Sequence, residues 1–370
     1  MDTTDQFEIF LVATPGLEAP LLDEAIAAGF PAQITDGGIS FPGTWVDVWR
    51  ANLELRGATR VLARIGAFRA MHLAQLDKRA RKFPWLSVLP PQPVLRVETT
   101  CRQSRIYHAG AASQRIERAL TEVIGARLDP RAELVVKARI EDDLCTFSLD
   151  TTGESLHKRG HKEAVGKAPM RETMAAMFLR ECGFQGDEPV LDPMCGSGSF
   201  VIEAAEIALD LQPGRSRGFA FESLATFDAQ AFQALKRTGP ARAAPARFYG
   251  SDRDTGAVNM SRKNAERAGV SRIADFRNCT ISDLTRPEGP SGLVIVNPPY
   301  GARIGNKKPL MALHHSLGQV LRERFSGWRV GLVTSEPGLA RATGLPFQPP
   351  GPYVAHGGLK VRLFQTGRLP

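Results

Sequence analysis

A chain of 370 residues that is 43% apolar and 23% charged can bury two or three proper cores, which excludes a disordered protein and a small disulfide scaffold. No apolar run reaches a membrane span, the opening MDTTDQFEIF lacks a signal-peptide layout, and five scattered cysteines without a CxxC pair support neither a disulfide framework nor a zinc site. The expectation is therefore a soluble, cytoplasmic protein without a metal, whose net charge of +8 is segregated: residues 1–49 hold eight acids and no Lys or Arg, residues 50–139 eighteen bases and seven acids.

In chain order, FEIFLVATP reads as a strand, GLEAPLLDEAIAAGF as a helix, and AQIT and GGISFPG as strands, each bounded by glycine or proline. A helix-like stretch over 45–63 follows. VLRVETTCR alternates as a strand, and AASQRIERALTEVIGARL has helical spacing with Arg115 and Arg118 on its polar side. ELVVKARI and LCTFSLDT form a strand pair about the turn EDD, so residues 1–152 read as one or two small α+β modules. GESLHKRGHKEAVGKAP, residues 153–169, is a glycine-punctuated basic connector.

Beyond it the pattern changes. Strand PVLDPM, a helix over 199–211, strand RFYGSD, a helix over 256–268, strands IADFRN and LVIVNPP, a helix over 310–325 and strand RVGLVTS alternate, which predicts an α/β, doubly wound parallel sheet. GGLKVRLFQT would add an antiparallel edge strand. An insertion, 212–248, interrupts the first crossover without declaring a role.

Two turns at strand ends draw the chemistry together. LDPMCGSGSF, 191–200, is a glycine-rich turn between strand and helix, neither a P-loop nor a GxGxxG, placed where such sheets bind nucleotides; a plain tight turn is the alternative. Asp252 in GSD closes the next strand, from which a carboxylate can accept from both ribose hydroxyls, unless Asp252 or Asp254 merely caps the following helix. VIVNPPYG, 294–301, ends a buried strand on Asn297, Pro298, Pro299 and Tyr300. The Asn297 amide oxygen and the Pro298 carbonyl can each accept one hydrogen from an exocyclic amine, freeing its lone pair for an electrophile, and Tyr300 offers a face on which a base stacks, worth about 1–3 kcal/mol.

LDPMCGSGS, GSD and NPPYG in this order, after LHKRGHKEAVGKAPMRETMAA, resemble the class I S-adenosylmethionine methyltransferases that carry a THUMP domain, and within them the RlmL-type enzymes that methylate a guanine amine in large-subunit ribosomal RNA. The resemblance covers nearly the whole chain. It implies a ferredoxin-like element at 1–44, a THUMP RNA-binding domain at 45–152, the connector at 153–169 and a Rossmann-like methyltransferase domain at 170–370. Asp192, Cys195, Gly196 and Gly198 match the cofactor loop and Asp252 the ribose acid. Asn297, Pro298 and Tyr300 match the amine site. Cys195 is a small loop residue and no nucleophile. After the third strand Thr280 stands where many relatives have an adenine-binding aspartate, so Asp283 is the nearest acid for that role. Lys167, Arg171 and Thr173 match the segment that meets the cofactor's carboxylate.

The expected partner is RNA. Arg102, Arg105, Arg115 and Arg118, with Lys158 and Arg159 of the connector, would hold phosphates, and the target base would be flipped onto Tyr300; Lys307 and Lys308 could hold the neighbouring backbone. The expected reaction is methylation of a guanine N2 amine in 23S ribosomal RNA. The rivals are a tRNA guanine-N2 methyltransferase, a DNA amino-methyltransferase, a protein glutamine methyltransferase and a non-catalytic RNA-binding factor.

Overall fold

In a computed structural model, which describes residues 6–163, 169–300 and 307–370, the chain divides into two units. The first takes in residues up to 13, 22–156 and 217–236, and the second 14–21, 157–216 and 237–370.

The first unit is built on one sheet. Its elements are β1 (Phe7–Val12), most of α1 (Glu18–Ala27), β2 (Gln33–Thr35), β3 (Gly38–Gly43), α2 (Trp45–Glu54), β4 (Arg60–Arg69), α3 (Leu73–Lys82), β5 (Val94–Arg102), α4 (Ala109–Ile124), β6 (Arg127–Leu128), β7 (Val135–Glu141) and β8 (Leu144–Asp150). The strands lie in the order β2-β3-β1-β4-β8-β7-β5-β6, antiparallel except where β5 meets β7 and β6. One continuous sheet thus runs through the residues on both sides of position 44.

The helix expected over 45–63 stops early. The Asp47 carboxylate accepts from the Thr44 N–H at 2.9 Å and opens α2, whereas the Glu24 carboxylate accepts from the N–H groups of Arg56 and Gly57, both at 2.8 Å, just beyond its end. The chain then leaves as β4. Val61, Ala63 and Ile65 alternate inward, so a period of two overrides the helical reading.

The second unit contains α5 (Glu172–Glu181), β9 (Val190–Asp192), α6 (Ser199–Ala208), β10 (Phe248–Asp252), α8 (Thr255–Ala268), β11 (Ala274–Asn278), β12 (Leu293–Val296), α9 (Lys307–Arg324), β13 (Arg329–Thr334), α10 (Pro337–Ala342), β14 (Val354–His356) and β15 (Leu359–Gln365), while α7 (Ala229–Leu235) lies in the first unit. The sheet order is β11-β10-β9-β12-β13-β15-β14, with five parallel strands and an antiparallel β14–β15 hairpin. The last strand of the chain is therefore not the edge. β15 pairs with β13, and β14 takes the outer position. Val294, Val296, Leu317, Leu321, Phe325, Trp328 and Leu332 form the core between β12, β13 and α9.

The insertion is an aromatic graft. Phe219, Phe221, Phe227 and Phe232 gather around Trp49 of α2, with the Phe219 and Phe221 rings stacked at 5.0 Å and Phe227 edge-on to Trp49 at 5.8 Å. Phe221 is fully buried. Burying such rings stabilises by about 1.5–3 kcal/mol each, which gives residues 217–236 a structural reason to lie with the first unit.

Candidate active site

Doubly wound sheets bind ligands at the carboxyl ends of their parallel strands, where the helices that follow begin. β9 ends in Asp192, and the loop Pro193–Ser197 turns into α6. Two glycines make the turn: Gly196 at φ +54° and Gly198 at φ +85°, a backbone that L side chains resist. The loop is held from all sides. The Cys195 N–H donates to the Ser251 carbonyl at 2.9 Å, the Ser261 hydroxyl to the Gly196 carbonyl at 2.9 Å, and the Asn264 amide to the Ser197 carbonyl at 3.0 Å. Ser261 and Asn264 are one helical turn apart on α8, a spacing that sequence reasoning passed over.

Two carboxylates meet this loop. Asp192 is buried and accepts from the Met194 N–H at 3.0 Å; burial, reinforced by the charge of Asp252, pushes its carboxyl up to about 8. Asp252 accepts from the Gly196 N–H at 3.1 Å and from the Asp254 N–H at 2.9 Å. It is Asp254 that caps α8, accepting from Gly256 at 2.8 Å, which leaves Asp252 to the loop. Cys195 is buried and its thiol is pushed well above its usual range by burial, so it is a protonated packing residue.

The Asn-Pro-Pro-Tyr turn expected to form the amine site stands at the end of β12, the neighbour of β9. Pro298 is buried, and Asn297 and Tyr300 are partly buried. Burial drives the Tyr300 phenol up to about 12, against a hydrogen bond from Asn297 that favours the phenolate. Only the N–H side of an amide can act that way. The amide oxygen Oδ1 is correspondingly the free end: it is buried and has no partner among the described residues. Exposed Thr280 donates to exposed Asp283 at 2.6 Å across a 3-10 turn, Ile281–Asp283, beyond β11, whose Ile281 is buried. On α5, Thr173 is fully buried with its hydroxyl unpartnered among the described residues, and Arg171 is exposed. Lys167 lies outside the described residues.

Residues 159–346, just over half of the chain, match the family described as RMKL-like, methyltransferase domain. The chain belongs to the RMKL-like methyltransferases. Residues 8–62 also match the RlmL ferredoxin-like domain. Among solved structures, the chain is similar to a protein described as a possible methylase from Clostridium difficile 630, with 27% identity, 99% of each chain covered and a TM-score of 0.89. It is similar to a protein described as a predicted N6-adenine-specific DNA methylase from Listeria monocytogenes, with 27% identity, 99% of this chain and 97% of that one covered, and a TM-score of 0.88. A candidate methyltransferase, SMU.472, complexed with SAH, shares 26% identity over 99% of each chain with a TM-score of 0.87.

In this RMKL-like methyltransferase the expected RNA-binding residues separate into two groups. Arg102, Arg105 and Arg118 keep roughly two thirds of their side-chain surface, at 64%, 69% and 63%, and Arg115 and Lys158 are exposed. Each of the three has a carboxylate nearby: Glu141 at 3.6 Å, Asp143 at 3.6 Å and Glu122 at 2.7 Å. Arg159 departs from the expectation. It is 1% exposed and its Nε lies 3.1 Å from Glu203 on α6, so its charge is spent inside the domain, not offered to a polyanion. His161 and Lys162 follow it inward. His161 meets Glu206, and Lys162 bridges Glu172 of α5 at 3.1 Å, the Ser199 hydroxyl at 2.7 Å and the Met170 carbonyl at 2.9 Å. Part of the connector's basic run thus fastens α5 to the first residue of α6, beside the glycine loop. Basic residues spaced in a glycine-rich stretch give no sign of this; only the glutamates on α5 and α6 could have hinted at it.

Proposed function

We propose that this methyltransferase transfers a methyl group from S-adenosylmethionine to the exocyclic N2 amine of a guanine in RNA, with large-subunit ribosomal RNA as the first substrate to test. The observation that carries the reading is the buried Asn297 Oδ1, without a partner among the described residues, in an Asn-Pro-Pro-Tyr turn at the end of β12. An acceptor left unsatisfied at a strand end is costly unless a ligand hydrogen completes it.

The residues around the loop suit the donor. Left-handed Gly196 and Gly198 let backbone approach a ligand, Asp252 stands at the end of β10 for a ribose, Asp192 is a buried carboxyl for a cationic amine, and the Thr173 hydroxyl, without a partner among the described residues, is a donor for a carboxylate. Asp283 is the acid for the adenine amine. When bound, S-adenosylmethionine supplies an electrophilic methyl group. The protein's part is to prepare the acceptor: Asn297 Oδ1 and the Pro298 carbonyl each accept a hydrogen from the amine, turning its lone pair out of the ring, while Tyr300 carries the base on its face. No base of unusual pKa is needed, because the nitrogen sheds its proton after the methyl has moved.

The charge supports RNA. Residues 45–152 are read as a THUMP domain, with Arg102, Arg105, Arg115, Arg118 and the exposed Lys158 as phosphate contacts. The test is incubation of the full chain with labelled donor and, separately, ribosomal RNA, tRNA, DNA and a release factor, followed by digestion and identification of the modified unit. Label in guanine N2 of ribosomal RNA is expected. Label only in DNA or in glutamine overturns the reading. The second reading is an adenine-N6 methyltransferase of DNA, favoured by the description of the Listeria relative, since the same two acceptors would take either amine.

A further inference from the structure

Parallel sheets of this kind are normally covered by helices on both faces. On one face of the second unit's sheet, α9 packs Leu317, Val320, Leu321 and Phe325 over β9, β12 and β13. This core ends at Tyr249 of β10, which packs against it, and at Ile281 and Leu284 beyond β11. The crossover from β11 to β12 contains the 3-10 turn Ile281–Asp283 but no α-helix, so the same face of β10 and β11 is left to whatever the sequence puts there.

What it puts there is one ring at the edge of the core, Tyr249, and otherwise polar side chains. Tyr249 pairs across the strands with Asp275, and Ser251 with Arg277, which sets all four side chains on one face. They line a cavity of about 480 Å³, walled on the other side by residues 284–288 and within the range of ligand sites. Arg247, Arg286 and Glu288 also border it. Arg277 is neutralised by Asp275 at 2.8 Å, but Arg286 donates only to the carbonyls of Ser326 and Gly289, which do not cancel its charge. Arg247 is exposed and makes no ion pair among the described residues. Ser251 is 6% exposed, and its Oγ has no hydrogen-bond partner among the described residues. A buried hydroxyl left open in a cavity bordered by three guanidinium groups and two carboxylates, and so positive in balance, asks for a ligand with both oxygens and negative charge.

We infer that this groove is a second RNA contact of the methyltransferase domain. It takes one nucleotide of the substrate strand, the phosphate on Arg247 and Arg286 and the sugar or base beside Tyr249 and Ser251. The inference rests on RNA as the substrate, and charge selects RNA over a protein partner, because recognition of single strands joins guanidinium–phosphate contacts to aromatic rings.

The test measures binding of a structured ribosomal RNA fragment to the full chain over a salt series, for wild type, R247E/R286E and R102E/R105E, with SAH affinity as the check on folding. R247E/R286E is expected to weaken RNA binding about tenfold and to lower the salt slope by about two, with SAH affinity unchanged. If R102E/R105E weakens binding and R247E/R286E does not, the groove is no RNA site while the substrate reading stands. Wild-type protein that binds no RNA overturns both. Free guanosine monophosphate supplies the remaining arm: binding lost in R247E/R286E while RNA affinity is unchanged overturns the inference in favour of a free-nucleotide site.

Discussion

The crevice of the second unit and the arginine surface of the first are made by opposite means. At the crevice, the glycine loop and Asp252 are fixed by hydrogen bonds in which a backbone group takes part. The glycine loop is bonded by Ser251, Ser261 and Asn264, Asp252 is tied to Gly196 and Asp254, and Asn297 directly follows the buried strand β12 and precedes two prolines. At the surface, Arg102, Arg105 and Arg118 lean on nearby carboxylates from long, exposed side chains. The first arrangement is preorganised for one geometry, as the proposed catalysis requires; the second is adaptable charge, as the proposed docking of a polyanion requires. Buried motifs therefore mapped from sequence to place, and exposed charge mapped only to a region.

If the comparison holds, damage to the crevice is large and specific. Asn297→Ala is expected to lower turnover by about 10²–10³ with SAH affinity nearly unchanged, read by single-turnover kinetics and calorimetry; turnover within twofold of wild type would remove Asn297 from the amine site. Next in size is the buried clasp. Lys162→Met leaves Glu172 without its partner, so denaturant unfolding should show a loss of about 3 kcal/mol, and an unchanged midpoint would mean the bridge carries no stability.

A smaller effect concerns protons. Because the Asp192 carboxyl is raised to about 8, it is mostly protonated at pH 7 without a ligand, and a cationic amine docked beside it favours the carboxylate and expels the proton. SAH binding at pH 7, measured in buffers of different ionisation heat, should therefore release a proton, and the release should vanish near pH 9.5, where the group is already ionised. Release that stays constant across this range would assign it to another group. The smallest effect is expected at the surface. R102E/R105E should weaken RNA binding severalfold and lower the salt slope by about two while leaving SAH affinity intact; an unchanged slope would move the docking surface elsewhere and break the contrast drawn above.

The particular successes and failures follow the same line. Asp252 and Asp254 left two readings open in sequence, and the helix start decided between them: Asp254 caps, Asp252 holds the loop. The stretch 45–63 was read as one helix because its apolar residues satisfy two periods at once; Glu24, a side chain distant in sequence, receives the N–H groups at Arg56 and Gly57 and marks where the helix has ended. Arg159 looked like its exposed neighbour Lys158 and is instead paired within the domain.

Sequence by itself determined the alternation of strands and helices in the second unit and the motifs at its strand ends, because apolar periodicity and the steric needs of glycine and proline act over a few neighbouring residues. Only the tertiary structure decided which charges are spent inside, that residues 217–236 pack on Trp49, and that β10 and β11 keep a polar face open, because each depends on which partner the fold brings within a few ångströms, and no local pattern carries that distance.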